Sequence, residues 1–175
     1  ISGGVEPFNI FWTPTGETSL VINNLTPGTY TVTVTDATAT AVNLTNIDAK
    51  TTVPVNVTAV NTITGTAADI NTVYAAGAAG TITGLGNEAI TVTDASITVA
   101  QANTLAARTT GVITAAISGD MDAFAGLTET GNAYSVTVSD SSVSASALNT
   151  LDSKTTVAVD VSAATIITGT AADIN

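Results

Sequence analysis

The most constraining feature of this chain is that it repeats itself at a fixed distance. Thr-Val-Thr-Asp at 33–36 returns at 91–94 and, as Thr-Val-Ser-Asp, at 137–140. Gly65-Thr-Ala-Ala-Asp-Ile-Asn71 returns unchanged at 169–175. Residues 36 and 140, and residues 65 and 169, are each 104 apart, so two unrelated phrases share one offset. The middle copy divides that period into 58 and 46, and Lys50, Arg108 and Lys154 keep the same spacing. These three are all the basic residues in the chain, each followed by two Thr, so each copy carries one cation at one place. A period of this kind points to repeated supersecondary units before any other reading is considered.

Within a copy, two segment types alternate. Val32-Thr-Val-Thr-Asp36, Ile90-Thr-Val-Thr-Asp94 and Val136-Thr-Val-Ser-Asp140 alternate apolar and polar residues, the pattern of a half-buried strand. Val53-Pro-Val-Asn-Val57, Val112-Ile113 and Val157-Ala-Val-Asp-Val161 form a second strand set, with Pro54 demanding a strand end, edge or bulge. Short helical stretches follow, with apolar pairs at Leu44 and Ile47, Ala102 and Leu105, and Leu148 and Leu151. Thr40, Thr98 and Ser144 stand where N-caps belong, and the Lys or Arg is expected in the last turn, where the helix dipole favours a cation. A second helix type runs from Gly65 on to Val73 and Tyr74. Strand starts near 32, 55, 90, 112, 136 and 157 give copies near 32–89, 90–133 and 134–175. Ala75–Gly80 and Gly84–Glu88 read as loop, with a short strand at 81–83. A strand and a two-turn helix cannot bury their own apolar side, whereas stacked neighbours can. The expected fold is therefore β-rich with short helices, an α/β solenoid-like stack of strand–helix coils. A set of small, separate β-rich domains is the competing arrangement.

Composition agrees with narrow, layered interiors. Hydrophobic residues make up 45% but aromatics only 4%, so the core must be built from Ala, Val, Ile and Leu. Fourteen acidic residues against three basic ones, net −11, argue against nucleic acid and anionic membrane surfaces as partners. Solubility and self-repulsion outside the cell account for the acidity. With no Cys there is neither a disulfide framework nor a thiolate metal site. No apolar run reaches the ~18 residues of a membrane span. The start at Ile1 and the finish inside a repeated phrase lead to the expectation of a piece of a longer polypeptide.

The first residues differ from the rest. Gly3-Gly-Val-Glu-Pro-Phe-Asn-Ile-Phe-Trp12, followed by Leu25-Thr-Pro-Gly-Thr-Tyr-Thr-Val-Thr-Val-Thr-Asp36, resembles the short Ig-like repeats of bacterial gliding adhesins. That resemblance implies part of a β-sandwich over 1–36, with Tyr30 at a corner. Residues 37–175 look like the Thr/Ala/Asp-rich repeats of giant bacterial surface proteins of the cyanobacterial type. The phrases that carry the likeness are Leu148-Asn-Thr-Leu-Asp-Ser-Lys-Thr-Thr156, Ile167-Thr-Gly-Thr-Ala-Ala-Asp-Ile-Asn175 and Gly84-Leu-Gly-Asn-Glu-Ala-Ile-Thr-Val92. This implies an extracellular or cell-surface location and a structural role. The two resemblances meet at residues 31–36, which must end a sandwich and begin a stack.

Reactive chemistry is sparse. There is no His to serve as base, metal ligand or triad member. Gly77–Gly80 and Gly84–Gly86 lack the Lys-Ser/Thr that completes a phosphate loop. No enzymatic activity and no cofactor are expected. Asp36, Asp94 and Asp140 close the first strand of each copy, and Asp120 and Asp122 flank a turn after Gly119. These five are the candidate Ca²⁺ ligands, against the simpler role of carboxylates that accept backbone N–H bonds. A third role pairs each strand-end Asp with the Lys or Arg of the next coil. The expected function is a structural filament, sheath or matrix segment that self-associates by repeat stacking, without membrane insertion. The alternatives are the stalk of a bacterial adhesin and, on the strength of the Thr-x-Thr phrases, an ice-binding solenoid.

Overall fold

A computed structural model of the chain describes residues 10–13 and 30–174. The molecule divides into two compact units, residues 1–89 and 90–175. It is mixed α/β, with parallel sheets and short helices, and among the described residues no sheet closes into a barrel.

The first unit contains β1 (Ile10–Thr13), β2 (Thr31–Val34), β3 (Thr38–Thr40), α1 (Ala41–Asp48), β4 (Val55–Asn56), β5 (Thr62–Gly65), α2 (Ala67–Ala79) and β6 (Ile82–Thr83). Two ladders organise it. In one, β2, β4 and β6 run parallel, with Val32 beside Val55 and Val55 beside Ile82. In the other, β3 and β5 run parallel, with Ala39 beside Ile63. All five of these side chains are buried. Side chains in register on parallel neighbours share a face, so steps of 23, 27 and 24 residues place apolar upon apolar in these ladders. Pro54 stands immediately before β4, where its missing N–H interrupts no ladder bond.

The Ig-like expectation for residues 1–36 finds only partial footing. β1 and β2 are antiparallel, as hairpins of a sandwich are. β2 also pairs in parallel with β4, which an Ig sheet does not do. The rest of that expectation, over 1–9 and 14–29, lies outside the described residues. The strand at 31–34 is thus shared between an antiparallel and a parallel neighbour.

Two other expectations change. Ala75–Ala79, expected as loop, completes α2, which closes at Gly80 in the left-handed conformation (φ 80°). Alanine is the best helix former, and four alanines among these five residues outweigh the cost of one Gly. At Gly77 a Cβ would lie 2.8 Å from Leu85 Cδ1, so any larger residue would make the Leu85 side chain shift. The cations also lie just past their helices. Lys50 and Lys154 follow the C-caps Ala49 and Ser153, and Arg108 follows Ala107.

The second unit contains β7 (Ala89–Val92), α3 (Val99–Ala106), β8 (Ile113–Gly119), α4 (Met121–Phe124), β9 (Ala133–Val138), β10 (Ser142–Ser144), α5 (Ala145–Asp152), β11 (Ile166–Thr168) and α6 (Ala171–Ile174). β7, β8 and β9 are successive parallel neighbours, and β10 pairs in parallel with β11. Ile90, Ile113, Ile117, Tyr134, Val136 and Val138 form the buried face of the larger sheet, and Leu105 and Leu151 close over the core from their helices. The expected strand at 157–161 reduces to single bridges, Asn132 to Thr155 and Thr137 to Asp160. Val157 is exposed there, so no ladder of buried side chains holds the segment flat.

Candidate functional site

The five candidate Ca²⁺ ligands do not converge. Asp36, Asp94 and Asp140 each stand two residues past a strand end, after Val34, Val92 and Val138, and each is half-buried. Asp140 Oδ2 accepts the backbone N–H of Met121 at 2.7 Å. Asp120 Oδ1 caps α4 by accepting the N–H of Ala123 at 2.8 Å, and Asp122 is exposed in the first turn of that helix. Asp120 and Asp140 therefore answer unsatisfied donors at the start of α4, where the helix dipole favours an anion. Among the described residues no group of three or more Asp or Glu gathers as a cation site would require. Of the cations, Lys50 and Arg108 are exposed, and Lys154 Nζ donates to the Thr128 carbonyl at 3.2 Å.

Sequence reasoning missed three groups of polar residues. Glu88, taken as part of a loop, is 1% exposed, and its Oε2 accepts the Tyr74 hydroxyl at 2.9 Å and the Gly86 N–H at 3.0 Å. Its carboxylate pins the 84–88 turn onto α2. Asn132 is buried, and its Oδ1 accepts the Ile113 N–H at 2.8 Å. Asn103 and Asn149 each reach to the segment beyond their helix. Asn103 Nδ2 donates to the Gly126 carbonyl at 2.7 Å, and Asn149 Nδ2 donates to the Asp173 carbonyl at 3.0 Å. A signal for this pair was present, because these two Asn stand 46 apart, the offset that the cations keep.

The feature with the clearest bearing on function lies in the duplicated phrase. Extended by two residues, it reads Ile-Thr-Gly-Thr-Ala-Ala-Asp-Ile-Asn at both 63–71 and 167–175. The local structure repeats. Thr66 Oγ1 donates to Asp69 Oδ2 at 2.7 Å, and Thr170 Oγ1 donates to Asp173 Oδ2 at 2.7 Å. In return the N–H of Asp69 donates to Thr66 Oγ1 at 3.1 Å and that of Asp173 to Thr170 Oγ1 at 3.4 Å, a reciprocal cap at each helix start. The Thr170 hydroxyl, then its N–H, holds the Asp173 carboxyl below the usual carboxylate range. Even the contact behind the phrase repeats, since a Cβ on Gly65 or Gly169 would lie 3.0 Å from Ala41 Cβ or Ala145 Cβ respectively.

Burial, however, differs at the apolar positions Ile63, Ala67 and Ile70. Ile63 and Ile70 are 0% exposed, whereas their counterparts Ile167 and Ile174 are 49% and 59% exposed. Ala67 is buried and Ala171 is exposed. Ile166 beside them is exposed as well. The second unit thus carries a face made of core residues in core conformation that opens to solvent. The Thr-x-Thr phrases are different in kind, with Thr31, Thr35 and Thr93 exposed and Val32, Val34 and Val92 turned inward.

Comparison with protein-family models, with curated proteins and with solved structures finds no match to this chain.

Proposed function

We propose that this chain is a structural segment of an extracellular surface, sheath or matrix protein, an α/β solenoid-like stack of strand–helix coils that self-associates by laying coil upon coil. The observation that carries the reading is the duplicated phrase: in the same local turn and cap, Ile63, Ala67 and Ile70 are buried in one copy while Ile167, Ala171 and Ile174 are exposed in the other. Exposed β-branched side chains on an edge strand invite a further strand and its helix. Parallel neighbours spaced by 23 or 24 residues, as from Val32 to Val55 and from Ser142 to Ile166, support repeated addition of one kind of coil. The acidic surface, the lack of Cys and the resemblance to large bacterial surface repeats favour an extracellular setting.

The test is sedimentation velocity and electron microscopy of the 175-residue chain from micromolar to millimolar concentration. Wild type is expected to form concentration-dependent assemblies. The double variant Ile167→Asp/Ile174→Asp is expected to remain monomeric with unchanged helix content by circular dichroism, since both side chains are exposed already. A wild type that stays monomeric throughout sinks the proposal.

A further inference from the structure

The second unit contains a local departure from its own period. Neighbouring parallel strands are stepped by 23 residues from Ile90 to Ile113, and again from Thr137 to Asp160, but by only 19 from Thr114 to Ala133. The shortfall of four residues appears in the helix: α4 has 4 residues where α3 and α5 have 8 each. Four residues are about one helical turn, so one turn of side chains is missing beside α5. A cavity of ≈ 210 Å³ lies between α4 and α5, walled by Phe124, Leu127, Ala147, Thr150, Leu151 and Lys154. Phe124, Leu127 and Leu151 are buried apolar residues.

The polar equipment of this cavity is minimal. The Thr150 hydroxyl already donates to the Ser146 carbonyl at 3.0 Å. Lys154 Nζ gives one donor to the Thr128 carbonyl at 3.2 Å and meets no carboxylate at ion-pair distance among the described residues. An ammonium has three donors, so two remain. The other two cations of the repeat, Lys50 and Arg108, stand exposed, while Lys154 is half-buried along the cavity wall. In a chain of net charge −11, a cation without a carboxylate partner beside an apolar hollow is complementary to one ligand shape, an apolar body with a single anionic head. The hollow is partly open to solvent, and water against its mostly apolar wall is poorly held, so an apolar group displaces it at a gain. For scale, an apolar cavity of about 150 Å³ accepts benzene. This one therefore has room for roughly six to nine carbons.

We infer that the cavity between α4 and α5 is a binding site for a small amphipathic carboxylate, its apolar part against Phe124, Leu127 and Leu151 and its carboxylate on Lys154 Nζ. The inference is independent of self-association, since none of these residues belongs to the open face formed by Ile166, Ile167 and Ile174.

The experiment is calorimetric titration of the 175-residue chain with octanoate and, separately, with octan-1-ol. Octanoate is expected to bind saturably at one site, and octanol roughly tenfold or more weakly, since the alcohol lacks the charge-assisted bond. Lys154→Gln is expected to weaken octanoate by about the same factor while leaving octanol within about twofold. Ala147→Leu, which fills the hollow, is expected to abolish both and to raise the melting temperature, and it reads out the site even if the Lys154 variant folds poorly. The inference is overturned if octanoate shows no saturable binding. It is equally overturned if octanol binds wild type as well as octanoate does, if Lys154→Gln binds octanoate unchanged, or if Ala147→Leu still binds it.

Discussion

Tyr134 lies fully buried in β9, and among the described residues its hydroxyl finds no hydrogen-bond partner. Burial first, and the negative charge of Glu129 second, push its phenol from 10.0 up to about 12. The folded state therefore favours the neutral ring. Its contribution to stability is intact below pH 10 and falls as the pH climbs from about 10 towards about 12, because the unfolded chain ionises first. Alkaline unfolding in that window should be blunted in Tyr134→Phe, which loses the ionisable group and an unsatisfied hydroxyl together. Denaturation followed at pH 8 and at pH 11 checks this. The variant should match or slightly exceed wild type at the lower pH and clearly exceed it at the higher. Superimposable curves at pH 11 would show that another group drives the alkaline loss. Glu88 makes the complementary point, because its burial depends on Tyr74, 14 residues away and on another element. Nothing in the phrase Gly84-Leu-Gly-Asn-Glu88 announces such a partner.

Among the elements, the helix starts follow one recipe with unequal results. Thr40, Thr66 and Thr98 each accept the N–H of the third residue onward, whereas Ser144 occupies the same position without a side-chain cap bond. Replacing Thr66 by Ala should cost ~1 kcal/mol, and replacing Ser144 by Ala should cost close to nothing. Urea denaturation of the two variants compares them directly, and equal losses would show that the cap bond is not the source. The caps at Thr40 and Thr98 were legible in the sequence, whereas Thr66 reads there as part of its helix and Ser144 holds the cap position without the bond. The strands at 32–34 and 90–92, where alternation is strict, were legible too. The tail of α2 was not, because Gly77 and Gly80 punctuate the run equally on paper. Only Gly80 takes the left-handed turn, while Gly77 makes room for Leu85. The segment 157–161 alternates well but is exposed at Val157, and alternation without a covering neighbour makes no strand. The strand-end Asp residues were found by spacing. What spacing could not tell is that Asp140 reaches the Met121 N–H at the start of another element.

At the scale of the molecule, charge and apolar exposure act in opposite directions. Each copy of the chain carries a net charge of −11, so copies repel, whereas in the proposed assembly the exposed Ile167 and Ile174 would draw them together. The repulsion reaches about 30 Å at 0.01 M salt and about 10 Å at 0.1 M, whereas burial of the isoleucines is little affected. Self-association should therefore strengthen as NaCl rises through this range, and Ile167→Asp/Ile174→Asp should show no such response. Weaker association at higher salt would mean that ion pairs, not apolar contact, hold the copies together. The same titration addresses the carboxylates. Asp120 and Asp140 each engage one oxygen with a backbone N–H, and among the described residues no three acids gather. CaCl₂ should then act as an ordinary screening salt, matching NaCl at equal ionic strength in both association and melting temperature. A larger shift with Ca²⁺ that chelator reverses would instead show that carboxylates of this chain hold the cation, completed by carbonyls, water or a second copy.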